Sequence, residues 1–300
     1  MESIVPHLFI LDVTRDVSQV AQDDNNSLGS LRGRKQYRDD EGGMTISIAI
    51  LACNEAENLR RTLPSVAWAD ELILVDSGST DGTIEIAKEF GAKVYSEPWK
   101  GYGPQMNSAI DKCAGPWVFS LDADEELTPE LQASIQALIA SEAEFEAYWV
   151  PRRNQIFGRW MRFGGQYPDY KLRLFRQGTA RLPEDTEPHA TPKWSGPKGK
   201  LKGDLLHYQY PTVALYVEHM NRYSSASVPL VLRKGRTCLG LVEFASMTVA
   251  NPVLTFLKNY FFRLGFLDGR EGLLFHLYHS AYISWKYAKA WETSRRGVCG

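Results

Sequence analysis

The sequence is poor in cysteine, and its cysteines form no recognisable pattern. Four are present in 300 residues, and none has Cys-x-x-Cys or Cys/His spacing: Cys53, Cys113, Cys238 and Cys299. This usage argues against a disulfide scaffold and a structural zinc site, and it is typical of a protein from a reducing compartment.

Long apolar runs are also absent. The best candidate for a run of 18 apolar residues, 239–257, is interrupted by Glu243, Asn251 and Pro252. The sequence therefore predicts no membrane-spanning helix. Near the first residue, Glu2 stands where a secretory signal would carry lysine or arginine, so we expect no export signal.

What remains is an ordinary globular composition, 44% hydrophobic and 23% charged, with an uneven distribution of charge. Residues 44–150 hold 18 acids and 6 bases, whereas residues 151–300 hold 10 acids and 23 bases. We expect the first part to bind cations and the second to bind anions. The alternative is that both are solvated surfaces of one domain whose charges balance.

The chain changes texture twice. Residues 1–43 are polar and rich in Gly, Ser and Asp, which predicts a disordered tail. From Thr45, apolar runs at 45–52, 71–76, 92–97 and 116–122 alternate with helical patterns, the first with capping-box spacing at Asn54 and Glu57 and the last with Thr128 as N-cap. This order predicts an α/β fold with a mostly parallel sheet and a ligand site at the carboxyl ends of its strands.

Carboxylates follow two of these strands. Asp122 and Asp124 form an Asp-Ala-Asp sequence on the turn after the fourth strand, where both can reach one divalent cation. Asp76 ends the second strand and runs into a Gly/Ser turn suited to a base, ribose or phosphate. Such motifs also occur in ordinary strand-to-helix loops, and the same holds for Asn54-Glu55 after the first strand.

Six segments in order resemble a family 2 glycosyltransferase of the GT-A fold, and more narrowly the bacterial lipopolysaccharide core β-1,4-glucosyltransferases. They are ISIAILACNEAENL, ADELILVDSGSTDGTIEIAKEFGAKV, WKGYGPQMNSA, PWVFSLDADEELTPEL, GGQYPDYKLRLFR and LKGDLLHY. The resemblance implies a Rossmann-like, mostly parallel sheet flanked by helices in residues 44–210. We expect residues 211–300 to form a helical extension that associates with membranes.

The resemblance also implies an inverting transfer of a sugar from a nucleotide diphosphate, with a UDP-sugar favoured. It assigns Asn54, Glu55, Asp76, Gln105, Asn107 and Asp122 to the donor. It assigns Asp124, Asp122 and His207 to a divalent cation, Mg or Mn, which would neutralise the leaving diphosphate. His207 lies beside two leucines, so a buried core histidine is an equal alternative.

One departure from the family pattern concerns the base. His189 is followed by Ala190, where the family carries an acid that is a candidate to take the proton of the acceptor hydroxyl. The base would then be Glu187 or Asp185, with Glu187 preferred for its longer reach. The alternative is that these acids belong to a polar surface turn.

Asp169 and Arg173 are expected on the acceptor side. Residues 151–236 hold 16 bases and 6 acids, an excess that would suit a phosphorylated glycolipid acceptor. Strand alternation predicts Arg173 and Phe175 on one face and Leu172 and Leu174 on the other. The alternative for the arginine is an ion pair within the sheet.

Residues 254–291 are helical in period and hold 11 of the 35 aromatic residues, mixed with Lys258, Arg263, Arg270, Lys286 and Lys289. Interfacial helices that bind anionic membranes have this mixture. The alternative is a helical cap packed on the sheet.

The sequence thus predicts an inverting, metal-dependent glycosyltransferase that moves a hexose such as glucose to a lipopolysaccharide-core or other glycolipid or polysaccharide acceptor. We expect it in the cytoplasm, peripheral on the inner membrane, with no nucleic-acid partner. The first alternative is a catalytically silent nucleotide-sugar-binding protein on the same fold. The second is a nucleotidyltransferase, which would be expected to carry a basic, Gly-rich loop where this chain has the acidic LACNEAENL.

Overall fold

The computed structural model describes residues 45–183 and 192–298. The predicted tail at 1–43 lies outside this range, and so do the two candidate bases, Asp185 and Glu187.

The described chain alternates strands and helices as far as α4, continues with five strands and ends in helices. The strands are β1 (Ile46–Ala52), β2 (Glu71–Asp76), β3 (Lys93–Ser96), β4 (Trp117–Asp122), β5 (Glu125–Leu127), β6 (Ala147–Ile156), β7 (Arg159–Trp160), β8 (Asp169–Arg176), β9 (Gly199–Lys200) and β10 (Leu205–Tyr210). The helices are α1 (Ala56–Thr62), α2 (Thr83–Glu89), α3 (Tyr102–Asp111), α4 (Pro129–Ile139), α5 (Val213–Ala226), α6 (Val228–Arg233), α7 (Leu241–Ala245), α8 (Asn251–Leu257) and α9 (Gly269–Val298).

One sheet contains all of the described strands, in the order β3-β2-β1-β4-β8-β6-β10-β5, with β7 and β9 paired to β6. The first four are mutually parallel, as predicted, whereas β8 runs antiparallel to both β4 and β6. Apolar clusters cover both faces: Ile48 and Ile50 of β1 point into one, and Ala49 points into the other. Burial on both faces explains why the parallel strands are continuous apolar runs.

The predicted capping box of α1 is wrong, although the helix exists. Glu55 is the N-cap residue and makes no side-chain cap bond. Asn54 adopts a left-handed conformation, φ 57°, and its Oδ1 accepts a hydrogen bond from the Thr80 N–H at 2.8 Å. Asn tolerates this conformation better than most residues, so Asn54 ties the β1 loop to the β2 loop instead of capping the helix. The Thr128 cap of α4 is confirmed by its bond from the Leu131 N–H.

The predicted alternation along β8 is also wrong. The pairing with β6 shifts between Tyr148 and Trp149, so that Leu172 and Leu174 pair with adjacent residues and Arg173 is the extra residue of a β-bulge. Leu172 consequently joins the cluster of Phe175, whereas Leu174 joins the opposite one. Bulges re-aim side chains near functional sites, and here the bulge directs Arg173 toward Asp122.

The secondary structure changes to helices after Tyr210, near the predicted division at residue 211; the division itself stays a prediction. Helix α7, a π turn (Ser246–Ala250), α8 and a second π turn (Lys258–Phe262) follow without a break, and residues 241–262 are called the outer helix below. A 3₁₀ turn (Gly265–Asp268) leads into α9. None of the helices in residues 45–183 and 192–298 is both long and apolar enough to cross a bilayer.

Candidate active site at the carboxyl ends of the central strands

The carboxyl ends of three adjacent strands bring the predicted donor residues to one edge of the sheet. In the strand register, Ala52 of β1 pairs with Asp76 of β2, and Leu51 pairs with Asp122 of β4. Asn54 and Glu55 follow directly after β1, so they lie between the two aspartates. This edge is where parallel α/β sheets bind their ligands.

The β2 side of this edge is organised by hydrogen bonds within the loops. Asp76 is buried, and its Oδ2 accepts a bond from the Gly78 N–H at 2.9 Å, where Gly78 has a φ of 103° that favours glycine. Its other oxygen accepts from the Ser79 hydroxyl. Glu55 Oε2 accepts from Asn58 at 2.7 Å. Across the two loops, the Asn54 N–H donates to the Ser79 hydroxyl at 2.8 Å, so the loop after β2 is fixed against the loop after β1.

Helix α3 carries the other two predicted donor residues, and they differ. Both ends of the Asn107 amide bond the backbone of Leu182, at 2.8 and 3.0 Å, so this side chain anchors the chain just before the segment of Asp185 and Glu187. Gln105 is fully buried; its Oε1 accepts from the Lys100 N–H, and its Nε2 has no hydrogen-bond partner among the described residues.

Asp122 belongs to a buried ion network. Its Oδ1 accepts from the Tyr102 hydroxyl at 2.7 Å, and its Oδ2 accepts from Arg173 Nη2 at 2.5 Å. The same nitrogen donates to Glu125 Oε1 at 2.6 Å, and Arg152 Nη1 reaches that oxygen at 3.2 Å. Burial raises the pKa of Asp122 and of Glu125, and repulsion between carboxylates adds to it, from Asp124 on Asp122 and from Asp122 on Glu125.

Asp169 is held by the same network from the other side. Arg152 Nη2 donates to its Oδ2 at 2.7 Å, and Lys171 Nζ lies 3.0 Å from its Oδ1. Burial alone would raise the pKa of Asp169, but the charges of Arg152 and Lys171 outweigh that effect and hold the pKa below its ordinary value. Ion pairing within the sheet therefore occupies Arg173 and Asp169, and their acceptor role stays a prediction.

Asp124 and His207 lie next to each other beside this network. His207 Nε2 lies 3.3 Å from Asp124 Oδ2, and its Nδ1 lies 2.7 Å from Asn154 Oδ1. In the neutral tautomer that donates from Nδ1 to this amide oxygen, the lone pair of Nε2 faces the Asp124 carboxylate. Two lone-pair donors that face each other suit a shared cation. A metal-bound histidine usually donates a hydrogen bond from its second ring nitrogen, as Nδ1 would to Asn154 here.

The sheet register explains why these residues meet. His207 of β10 pairs with Asn154 of β6 on one side and with Glu125 of β5 on the other, and Arg152 of β6 pairs with Asp169 of β8. Among the described residues, no three His, Cys, Asp or Glu side chains form a ready-made metal site. The described side chains at this edge that could hold a cation are therefore two, the Asp124 carboxylate and the His207 imidazole.

Sequence reasoning missed Tyr102, Glu125 and Arg152. A signal existed for Arg152, since Tyr148 and Val150 point into the core and period two places residue 152 on that same face. A charged residue at a core-facing position indicates a buried ion pair. Glu125 and Tyr102 gave no comparable signal, because their partners come from distant segments.

A family model decides the identity of this arrangement: that of glycosyl transferase family 2 matches residues 47–197. The chain belongs to glycosyl transferase family 2. The predicted GT-A fold with a C-terminal helical extension is likewise confirmed.

Relatives extend the similarity beyond the family model. The lipopolysaccharide core biosynthesis glycosyltransferase LpsC of Rhizobium meliloti is 27% identical over 82% of this chain and 94% of its own length. An uncharacterized glycosyltransferase of Rickettsia typhi, RT0209, is 30% identical over 76% of this chain and 80% of its own. The solved mannosyltransferase PcManGT of Pyrobaculum calidifontis is 15% identical over 85% of this chain and 90% of its own, with a TM-score of 0.48.

Proposed function

We propose that this family 2 glycosyltransferase transfers a hexose such as glucose, with inversion, from a UDP-sugar to a lipopolysaccharide-core or other glycolipid or polysaccharide acceptor. The observation that carries the proposal is the facing pair of Asp124 and His207 at the carboxyl ends of the strands. A cation held there lies beside the loops assigned to the donor.

The donor would lie along the edge formed by β2, β1 and β4. Asn54, Glu55 and Asp76 would line the nucleoside, and Asp122, bonded to the Tyr102 hydroxyl, would serve the ribose. Gln105, whose Nε2 lacks a partner in the described chain, would donate to the donor from α3. Because Asp122 is already bonded through both oxygens, we assign the larger share of the cation binding to Asp124 and His207.

Asp124 and His207 would hold a Mg or Mn ion, and the remaining positions would go to diphosphate oxygens. Such an ion supplies charge neutralisation for the departing nucleoside diphosphate. The residues of the chain do the rest. Asn154 keeps the His207 ring in one orientation, and the network around Glu125 fixes the start of β5, directly after the turn that carries Asp124.

The base would come from the segment after Leu182, with Glu187 preferred over Asp185. Both lie outside the described residues, but two hydrogen bonds between the Asn107 amide and the Leu182 backbone anchor the chain on α3 just before their segment. An inverting displacement needs a carboxylate within hydrogen-bond reach of the acceptor hydroxyl.

Two observations support the proposed acceptor: the charge of the chain and its similarity to a relative. The basic residues of 151–236 suit a phosphorylated glycolipid, and LpsC is by name a lipopolysaccharide core enzyme. We place the protein at the cytoplasmic face of the inner membrane, where such an acceptor would be met. The rival function is a silent nucleotide-sugar-binding protein, favoured by Ala190 in place of an acid.

The test is transfer itself. Wild-type protein is incubated with UDP-glucose, Mn²⁺ and a panel of truncated lipopolysaccharide cores, and glycosylated product is measured by mass spectrometry. Glu187→Gln should lower turnover by about 10²–10⁴ while donor affinity is retained, and Glu184→Gln, from the same segment, should have little effect. Donor binding without transfer in the wild type, across nucleotide sugars and acceptors, would instead establish the silent binder.

A further inference from the structure

The outer helix exposes an apolar face along its full length. Its exposed residues recur as adjacent pairs every four positions: Leu241 and Val242, Ala245 and Ser246, Val249 and Ala250, Val253 and Leu254, Leu257 and Lys258, and Phe261 and Phe262. Ten of these twelve are apolar, and Val242 and Phe262 are 85% and 84% exposed. The exposed set is called the outer face. Patches of this extent on soluble proteins mark contacts with a partner or a membrane.

The two π turns keep this face straight. In a regular α-helix of 3.6 residues per turn, a four-residue repeat would drift around the axis. A π turn is closed by i→i+5 bonds and holds more residues, so the π turns at 246–250 and 258–262 offset the drift of the α segments between them. The same four-residue spacing places Phe244, Thr248 and Pro252 on the opposite side; Phe244 packs on Trp291 of α9, and the Thr248 carbonyl accepts from Ser284.

The apolar surface continues around the turn into α9. Exposed apolar residues there include Leu264, Phe266, Leu267, Leu273 and Leu277. Across residues 241–277, all of them described, the charged residues that are exposed are Lys258 and Arg270, and no acid is among them. Glu243 and Glu271 are less exposed and lie 3.7 and 3.9 Å from Arg236 and Arg159, respectively.

We propose that the outer face, with its continuation to Leu277, inserts into the interfacial layer of a lipid bilayer. An apolar face bordered by a few cations, with aromatic side chains at one end, is the chemistry of a helix that lies in the plane of a membrane. Lys258 and Arg270 would lie at the level of anionic headgroups. A two-fold contact with a second copy fits less well, because it would bring these cations together without an exposed acid to oppose them. The proposal rests on the proposed function only in that the acceptor is a lipid.

The turn that follows the outer helix, residues 263–268, also contacts the segment that leads to Asp169. The Gly164 N–H donates to the Arg263 carbonyl at 2.8 Å, and the Asp268 carboxylate accepts from the backbones of Arg162 and Phe163 at 3.1 and 2.8 Å. The contact is close, since a Cβ at Gly164 would meet His276 Nε2 at 2.1 Å. Five residues further on, the same chain reaches Asp169. Docking the outer face would therefore fix the orientation of the site toward the bilayer.

Part of the basic aromatic segment at 254–291, which was predicted to bind the membrane, is occupied by contacts within the protein. Lys289 Nζ is bonded to Asn221, Ser224 and Ser225 of α5, and Lys286 lies over the rings of Tyr282 and Tyr287. Residues 281–290 are all described, and none of them is exposed. This half of α9 is therefore a packed cap. The contact is then mainly apolar, and it should persist in salt.

Vesicle sedimentation of the full chain tests the proposal. The probes are vesicles of phosphatidylcholine alone and of phosphatidylcholine with phosphatidylglycerol, at low and high salt. The variant Val242→Glu/Leu254→Glu/Phe262→Glu places three acids on the outer face at positions at least 64% exposed, so the fold should tolerate them. The matched control, Ala133→Glu/Gln136→Glu/Ala137→Glu, adds the same charge to the exposed side of α4.

We expect the wild type and the control to bind both kinds of vesicle, and to keep binding neutral vesicles at high salt. The outer-face variant should lose at least about a thousandfold in partitioning, because three inserted side chains are each worth about tenfold or more. Equal binding by variant and wild type, binding that high salt abolishes, or a wild-type dimer that the variant breaks while vesicle binding persists would each overturn the proposal. Transfer to a deacylated acceptor, measured on the same variant, separates this outcome from a failure of the proposed function.

Discussion

Around Asp122 the protein buries charge, whereas along residues 241–277 it exposes apolar side chains. The first region encloses Glu125 and Arg152 at 0% and 1% exposure, and the second leaves Phe262 84% exposed. Each reverses the ordinary distribution of side chains, and each is costly unless something compensates. In the network around Asp122 the compensation is internal, since Asp122, Glu125 and Asp169 each pair with an arginine. On the outer helix it would be external, from a bilayer.

The largest expected effect comes from breaking the internal compensation. Arg173→Met would leave Asp122 and Glu125 buried without the guanidinium that both share. Removing one partner of a buried ion pair typically costs about 3–5 kcal/mol. Urea denaturation should show a loss of that size in the free energy of unfolding.

The control uses an ion pair in water. Arg181 and Asp111 are paired with side chains 50% and 53% exposed, so Arg181→Met should cost less than about 1 kcal/mol. Similar losses for both variants would mean that the network around Asp122 is not buried as described.

Lowering the pH should destabilise the two regions to different extents, with a smaller effect than the loss of Arg173. Burial lowers the pKa of both His276 and His279, in the α9 half that follows the outer helix, to about 4. The unfolded chain binds these protons near 6.5 and the folded chain does not, so their contribution to stability is complete above pH 6.5 and falls as the pH drops toward 4. The loss should be on the order of 3 kcal/mol for each histidine.

The site responds differently over the same range. The lowered pKa of Asp169 gives stability that is lost only as the pH falls below about 3.8, and the raised pKa values of Asp122 and Glu125 act with the opposite sign. Hydrogen exchange between pH 6.5 and 4 should therefore show α9 amides losing protection before those of β4. His279→Phe, which keeps a ring beside Phe275, should reduce the α9 effect; an unchanged pH profile would contradict the assignment.

The sequence predicted the parallel half of the fold because local pattern determines it. Apolar runs bounded by Gly and Asp turns gave β1, β2 and β4, and with them the shared edge of Asn54, Asp76 and Asp122. Local pattern also gave the Thr128 cap. It failed at Asn54, where a contact with Thr80 from the neighbouring loop outweighs the capping preference.

The mixed half depends on pairings that no local pattern contains. The bulge that redirects Arg173 exists only because β8 pairs with β6, and Glu125 becomes a partner of two arginines only when β5 joins β10. The outer face escaped prediction for a related reason. Its four-residue repeat matches neither a helix nor a strand, and it becomes regular only through the π turns.

The account depends most on a cation held by Asp124 and His207, and calorimetry of UDP-glucose binding in Mn²⁺ tests it most directly. Chelator should abolish wild-type binding, and Asp124→Asn should weaken binding by more than about a hundredfold. Glu126→Gln is the matched control, since this neighbouring acid is bonded instead to the Tyr208 hydroxyl at 2.8 Å and should leave affinity unchanged. Equal wild-type affinity with and without chelator, or an Asp124→Asn variant that binds as the wild type does, would contradict the account.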